Sequence, residues 1–243
     1  MRGPDEEAVA VKFADDTALV DVSNNDDHFE AAVKDLQKWC GDHHLELNVK
    51  KTKEMVVDFR KNRTQIRELE VNGERVERVE TYKYLGVHID NRLTFADHIH
   101  HTYTKCQQRL YLLRRLSRLH VNHDILRAYY ACHVESVITY AFVAWYQGCG
   151  VKDKNKLDKI VNVGSKLCGR KCNSVLCLYE KRVEKKARKI VRDNSHVLAP
   201  YFQVMPSGRR FRTMKVKTNR AKNSFCLPGH QVLKQVLVLC EKK

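Results

Sequence analysis

Near residue 92 the spacing of apolar residues changes from two to three and four, and one type of secondary structure cannot serve both periods. Ahead of that point Val9, Val11 and Phe13 alternate up to Asp15-Asp16, and Ala18 and Val20 continue beyond it, the pattern of a β-hairpin with two carboxylates at its tip. Phe29, Val33, Leu36 and Cys40 then mark an amphipathic helix that Asn25, Asp26 and Asp27 can start and Gly41 can end. Short strands are expected at Leu45 to Val49 and Met55 to Phe59. A second hairpin through Asn72-Gly73 joins Leu69-Val71 to Val76-Val79, and Tyr82 to Asp90 reads as one more strand.

Beyond Asn91, Ile99, Tyr103, Cys106, Leu110, Leu113 and Leu116 predict a long helix. A second starts near Asp124 with Leu126, Tyr129, His133, Val137 and Tyr140 on one face. A third contains Leu157, Ile160, Val161 and Leu167, and a fourth Val183, Ala187, Ile190 and Val191. Pro200, Pro206, Gly208 and Pro228 then interrupt a basic tail. The fold class is α+β, divided into residues 1–91, a helical stretch 92–178 and a basic region 179–243.

Charge separates along the same axis. The chain carries a net +16, yet residues 1–30 hold nine acids against Arg2 and Lys12, a local −7. An acidic start on a basic body suits a polyanion partner held by cationic walls around a divalent-metal site. Hydrophobic content of 43% with 30% charged residues is that of a folded chain rather than a disordered one. The nine cysteines are odd in number and scattered, with no secretory signal ahead of them, so an intracellular, reducing setting in nucleus or cytoplasm is expected. No apolar run approaches the length of about 18 residues that a membrane span needs, Val137 to Trp145 being far too short.

Phe13-Ala14-Asp15-Asp16 carries the chemistry, because a hairpin tip is a rigid place from which carboxylates can hold a metal bound to substrate phosphates. Adjacent aspartates also occur in ordinary turns, so the surrounding blocks decide. Lys12 to Leu19, the helix containing Trp39-Cys40, Leu45-Glu46-Leu47-Asn48-Val49-Lys50-Lys51-Thr52-Lys53, Tyr82-Lys83-Tyr84-Leu85-Gly86-Val87 and Met205 to Arg212 occur in that order. Together they resemble the reverse transcriptases of non-LTR, LINE-type retrotransposons.

The resemblance implies that residues 1–91 are the end of a polymerase palm, 92–178 a helical thumb and 179–243 the carboxyl-terminal region. It makes Asp15 a ligand for Mg²⁺ with Asp16 as support, and Lys51 the residue that neutralises or protonates the departing pyrophosphate. By pattern alone Lys51 is not separable from Lys50 and Lys53. Tyr84, Leu85 and Gly86 become the segment that grips the primer end, with Gly86 allowing close approach; read without the resemblance they are a packed strand with a bulge. The partners implied are an RNA template and a DNA primer, with no membrane, and no protein partner can be inferred.

In the tail, residues 181–222 contain fourteen Lys or Arg against two acids, and Arg209, Arg210 and Arg212 flank a stackable Phe211. Neutralisation of about six phosphates would weaken duplex binding about a thousandfold between roughly 50 and 200 mM salt. Zinc is not expected at Cys149, Cys168, Cys172, Cys177 and His196, because no CxxC or H-x(3 to 5)-H pair is present. His98, His100 and His101 look like the exposed edge of one helix. A palm also needs an aspartate on an earlier strand, which Asp5 lies too close to the hairpin to supply, so the segment alone is expected to be inactive.

Two further readings remain. One is a basic RNA- or DNA-binding module without catalysis. The other follows from a similarity of about Lys105 to Trp145 to the amino-terminal segment of AlkB homologue 8, which implies tRNA modification, and His88-Ile89-Asp90 fits the HxD pattern of iron-dependent oxygenases.

Overall fold

The computed structural model describes residues 8–22, 26–60 and 66–206 together with Phe211 and Thr218. They form two compact units that divide after Tyr82, ahead of the change in periodicity at residue 92.

In the first unit β1 (Val9–Phe13) and β2 (Asp16–Val20) make the expected antiparallel hairpin, with Phe13 opposite Asp16 and Val9 opposite Val20. Ala14 takes a positive φ of 53° in the two-residue loop, the backbone that turns a right-twisted pair back on itself. Period-two alternation puts Ala10, Lys12, Thr17 and Leu19 on one face, and these line a cavity of about 570 Å³ with α1 (Asp26–Asp42). Val9, Val11, Phe13 and Val20 form the other, exposed face. The Lys12 ammonium lies 4.9 Å from the Trp39 ring centroid, and His28 Nδ1 lies 3.2 Å from the Asp21 carboxylate, so polar contacts tie the hairpin to the helix.

The expected strand at Leu45 to Val49 is instead loop and turn. Asn48 accounts for the difference: its side chain accepts from Lys51 N–H at 3.1 Å and its carbonyl from Thr52 Oγ1 at 2.9 Å, closing the backbone locally. Met55 to Phe59 is also not a strand, the pairing being confined to β3 (Lys53–Glu54), which runs parallel to β6 (Glu77–Arg78). The Asn72-Gly73 hairpin forms as β4 (Glu70–Val71) and β5 (Glu74–Arg75), with positive φ at both turn residues. Val33, Leu69, Val71 and Val76 make a small core. Beside it Arg78 Nε donates to buried Glu54 at 2.8 Å and clamps the carbonyls of Ile66 and Arg67.

Across the division Tyr82 to Asp90 is two strands, not one: β7 (Thr81–Tyr84) and β8 (Val87–Asp90) pair around Leu85-Gly86. Both turn residues have positive φ, 44° and 83°, so Gly86 serves a tight turn rather than a bulge. Asp90 then fastens β8 to the long helix α2 (Ala96–Arg118). Its carboxylate accepts from Arg92 N–H (2.9 Å), Thr94 N–H (3.0 Å), Thr94 Oγ1 (2.8 Å) and Phe95 N–H (2.7 Å). These bonds hold the Asp90 carboxyl below the ordinary carboxylate range despite its partial burial.

The helix expected from Asp124 runs as α3 (His123–Tyr130), a π-helical turn at Ala131–Glu135 and α4 (Ser136–Ile138), with Asn122 as its cap. Its buried residues are Leu126, Tyr130, Val134 and Ile138, a steady spacing of four, whereas His133 and Tyr140 are exposed. The wide turn loosens the carbonyl ladder, and the Arg109 guanidinium of α2 donates to the His133 carbonyl. A short α5 (Phe142–Trp145), α6 (Val151–Leu167) and α7 (Val175–Arg192) complete the core, in which Phe142, Trp145, Leu157, Ile160 and Tyr179 are buried. Ala187 and Ile190 of α7 pack with Phe202 and Phe211, which the bridge between Val204 and Phe211 brings back onto the helix.

Gly164 of α6 lies against the Tyr130 ring, where an added Cβ would meet ring carbons at 2.2 and 2.7 Å. A glycine to alanine change inside a helix ordinarily stabilises it, by about 0.5–1 kcal/mol. Here the methyl displaces a fully buried ring, so Gly164→Ala is expected to lower stability by about 1–3 kcal/mol. Urea denaturation checks this, and a midpoint that rose would mean that Tyr130 leaves room.

Candidate active site

Asp15 occupies the loop of the first hairpin and Asp16 opens β2. Both are exposed, and neither carboxylate has a hydrogen-bond or ion-pair partner among the described residues. Phe13, the cross-strand partner of Asp16, shares its face and is 63% exposed, so the tip presents acid beside apolar surface. Lys12 points to the opposite face over Trp39 and leaves the carboxylates uncompensated.

Lys51 sits in the turn that Asn48 closes, with its side chain exposed. Among the described residues no hydrogen bond or ion pair joins it to Asp15 or Asp16. Of its two neighbours, Lys53 is committed: it pairs with Glu77 and donates to the Lys50 carbonyl at 3.2 Å. The motif therefore separates into parts, Asn48 and Thr52 shaping the turn while Lys50 and Lys51 remain exposed.

Tyr84, Leu85 and Gly86 belong to the second unit. The Tyr140 hydroxyl donates to the Leu85 carbonyl at 2.6 Å, and a Cβ on Gly86 would lie 3.3 Å from the Tyr140 ring. Close approach to Gly86 on that side is taken by Tyr140. Tyr84 is half-buried and its hydroxyl is buried without a partner. Tyr140 was placed by helical period on an apolar face and not singled out; the signal that finds it is its contact with a turn more than fifty residues earlier.

Of the three histidines expected at an exposed edge, His100 and His101 are exposed and His98 is not. His98 is buried and stands edge-on to Trp145 at 4.8 Å between ring centroids, while His88 and His101 stack at 4.2 Å. His98 Nδ1 accepts the His88 backbone N–H at 3.4 Å, which requires that nitrogen to be unprotonated. Burial, reinforced by His88, Lys105 and His101, lowers the His98 pKa to about 4. His88 is lowered as well, by burial and then by His101 and Lys83. With His88 stacked and Asp90 saturated by loop donors, the HxD residues serve the β8–α2 connection.

Cys168 and Cys172 lie together in the α6–α7 connection, and burial pushes the Cys168 thiol up to about 11. No group of three or more His, Cys, Asp or Glu side chains is arranged to hold a metal among the described residues. No helix among them is long and apolar enough to cross a membrane. Arg209, Arg210 and Arg212 lie outside the described residues, as does Asn25, the proposed start of α1.

His98 makes the second unit acid-sensitive. Unfolded, it takes a proton near pH 6.5; folded, it resists until about 4. Its stabilisation is therefore complete above pH 6.5 and is lost progressively as pH falls through that window, by about 3 kcal/mol at most. Melting between about pH 7 and pH 5 should show a slope that shrinks in His98→Gln; an identical slope would remove His98 as the cause.

Residues 3–89 match the family described as reverse transcriptase (RNA-dependent DNA polymerase). A probable RNA-directed DNA polymerase from transposon BS of Drosophila melanogaster is 27% identical over 161 residues, which are 63% of this chain and 17% of that relative. No solved structure matches the chain. These findings support a place in the reverse transcriptase family, and they rest most directly on residues 3–89, the stretch that holds Asp15, Asp16, Lys51 and the Tyr84-Leu85-Gly86 turn.

Proposed function

We propose that the chain is a carboxyl-terminal portion of a LINE-type RNA-directed DNA polymerase: the end of the palm, a helical thumb in residues 92–178 and a basic carboxyl-terminal region. The observation that carries this reading is the pair of unpartnered carboxylates at the tip of a two-residue hairpin, inside the stretch similar to reverse transcriptases.

Magnesium fits this donor set, because it prefers hard oxygen ligands and is held by one or two carboxylates together with substrate phosphates. Asp15 would hold the ion and Asp16 support it; a bound ion activates the primer hydroxyl and stabilises the leaving pyrophosphate. Lys51, exposed on its turn, neutralises charge on the leaving group or donates a proton to it. Tyr84, Leu85 and Gly86 contact the primer end. Along α7, Lys181, Lys185, Lys186, Lys189 and Arg192 take no part in an ion pair among the described residues and are exposed, while Arg188 is paired with Glu184. That face, with Arg209, Arg210 and Arg212, contacts phosphates of template and primer.

The hairpin carboxylates supply part of a two-ion site, and in-line transfer also needs the aspartate that the resemblance assigns to an earlier strand. The 243 residues alone are expected to bind an RNA template with a DNA primer but not to extend it. A primer-extension assay with Mg²⁺ tests the second half, and incorporation that Asp15→Ala abolished would overturn it. Binding by fluorescence anisotropy tests the first half: affinity should rise with Mg²⁺ and lose that response in Asp15→Ala. The exposed cations of α7 favour a second reading, a nucleic-acid-binding module with an inert hairpin, for which affinity is indifferent to both Mg²⁺ and Asp15.

A further inference from the structure

Tyr140 combines two properties that seldom occur together. The residue is 52% exposed, yet both its ends are fixed. The hydroxyl donates to the Leu85 carbonyl at 2.6 Å, and the backbone carbonyl accepts from the buried Trp145 indole N–H at 2.9 Å. The ring edge closes over Gly86. Holding an exposed tyrosine costs side-chain entropy in advance, so besides bracing the turn its fixed ring is preorganised for a partner outside the core.

Two cations adjoin its contacts. Arg182 of α7 donates from Nη2 to Thr139 Oγ1 at 3.2 Å, which sets a guanidinium beside the residue that precedes Tyr140. Lys83 is exposed on β7, two residues before the turn. A rigid, exposed aromatic flanked by cations is the arrangement that takes an unpaired base on its face while the cations meet the phosphates on either side.

We propose that Tyr140 is a nucleic-acid-binding residue, its ring stacking on an unpaired base at the Tyr84-Leu85-Gly86 turn, with Arg182 and Lys83 meeting the adjoining phosphates. This rests on the functional reading above and adds to the contact at this turn a side chain from the helical part of the chain. The ring makes the contact, and its packing against Gly86 and the Trp145 bond to the Tyr140 carbonyl keep it placed when the hydroxyl bond to Leu85 is removed.

The test uses the full 243-residue chain and an RNA template annealed to a DNA primer whose 3′-terminal 5-iododeoxyuridine is mismatched with the template and so left unpaired. Anisotropy reads affinity, photo-crosslinking with peptide mapping reads the contact, and circular dichroism reads folding. Wild-type chain should give an adduct on Tyr140. Tyr140→Ala should weaken binding about tenfold and abolish that adduct, whereas Tyr140→Phe, which keeps the ring and loses the bond to Leu85, should stay within about twofold of wild type. Two results overturn the inference alone: Tyr140→Ala binding as tightly as wild type, or Tyr140→Phe falling as far as Tyr140→Ala, the mark of a residue that only supports the turn. Wild-type chain that fails to bind the primer-template overturns the functional reading itself, and the inference with it.

Discussion

The buried indole of Trp145 joins the packing of the second unit to its polar order. Its N–H holds the Tyr140 carbonyl, its ring meets the edge of His98, and Phe142 and Tyr146 stand within 5.0 and 6.4 Å of it between centroids. Tyr140 in turn holds the Leu85 carbonyl, and His98 holds the His88 N–H. The β7–β8 hairpin is thereby gripped at its turn and in its second strand by neighbours of one side chain. A two-stranded hairpin is marginal in water, and this grip supplies what a third strand would. The His98 interaction works only with a neutral ring, which makes a packing arrangement responsive to pH.

The first unit is held differently. Among the described residues its core cluster is Val33, Leu69, Val71 and Val76, and the β1–β2 hairpin leaves Val9, Val11, Phe13 and Val20 exposed. What fixes the carboxylate tip is the other face: Leu19 packs towards the small core, Lys12 stacks over Trp39, and Asp21 pairs with His28 at the start of α1. The alanines at positions 8, 10, 31 and 32 leave the cavity between hairpin and helix unfilled, so side-chain contacts at its rim carry more of the work than interior packing. Glu54 shows the same economy, a buried carboxylate tied to Arg78 where a larger domain would place apolar side chains.

What was legible in the sequence follows from the range of the forces involved. The hairpin at Asp15, the turn at Asn72-Gly73 and helices α1, α2, α6 and α7 are set by local spacing and turn chemistry, and all appear where the pattern put them. Leu45 to Val49 misled because its alternation is real but one asparagine side chain closes the backbone first. Leu85-Gly86 was read as part of a strand because leucine rarely takes a positive φ; a distant tyrosine bonding its carbonyl helps hold it there. The buried face of α3 was displaced by the π-helical turn, which converts mixed spacings of three and four into a run of four. His98 and Tyr140 were invisible as individuals, since their environments are made by residues 47 and 55 positions away, respectively.

The same distinction separates the chemistry of the candidate site from its placement. Residue type alone gives the hard oxygen donors at Asp15 and Asp16 and the cations along α7, and these answer to different ions. In the proposed reading a divalent cation acts through the two carboxylates, whereas monovalent salt acts through phosphate contacts by releasing counterions. Affinity governed by α7 should therefore decline smoothly with salt, while a contribution from the hairpin saturates with Mg²⁺ and vanishes with the carboxylate. The stacking contact proposed for Tyr140 would answer to neither, because stacking is driven by contact area and ring polarisation and persists where salt has screened the lysines. The three contributions are thus separable by ionic conditions before any residue is changed, and the stacking term is the one that should remain at high salt without Mg²⁺.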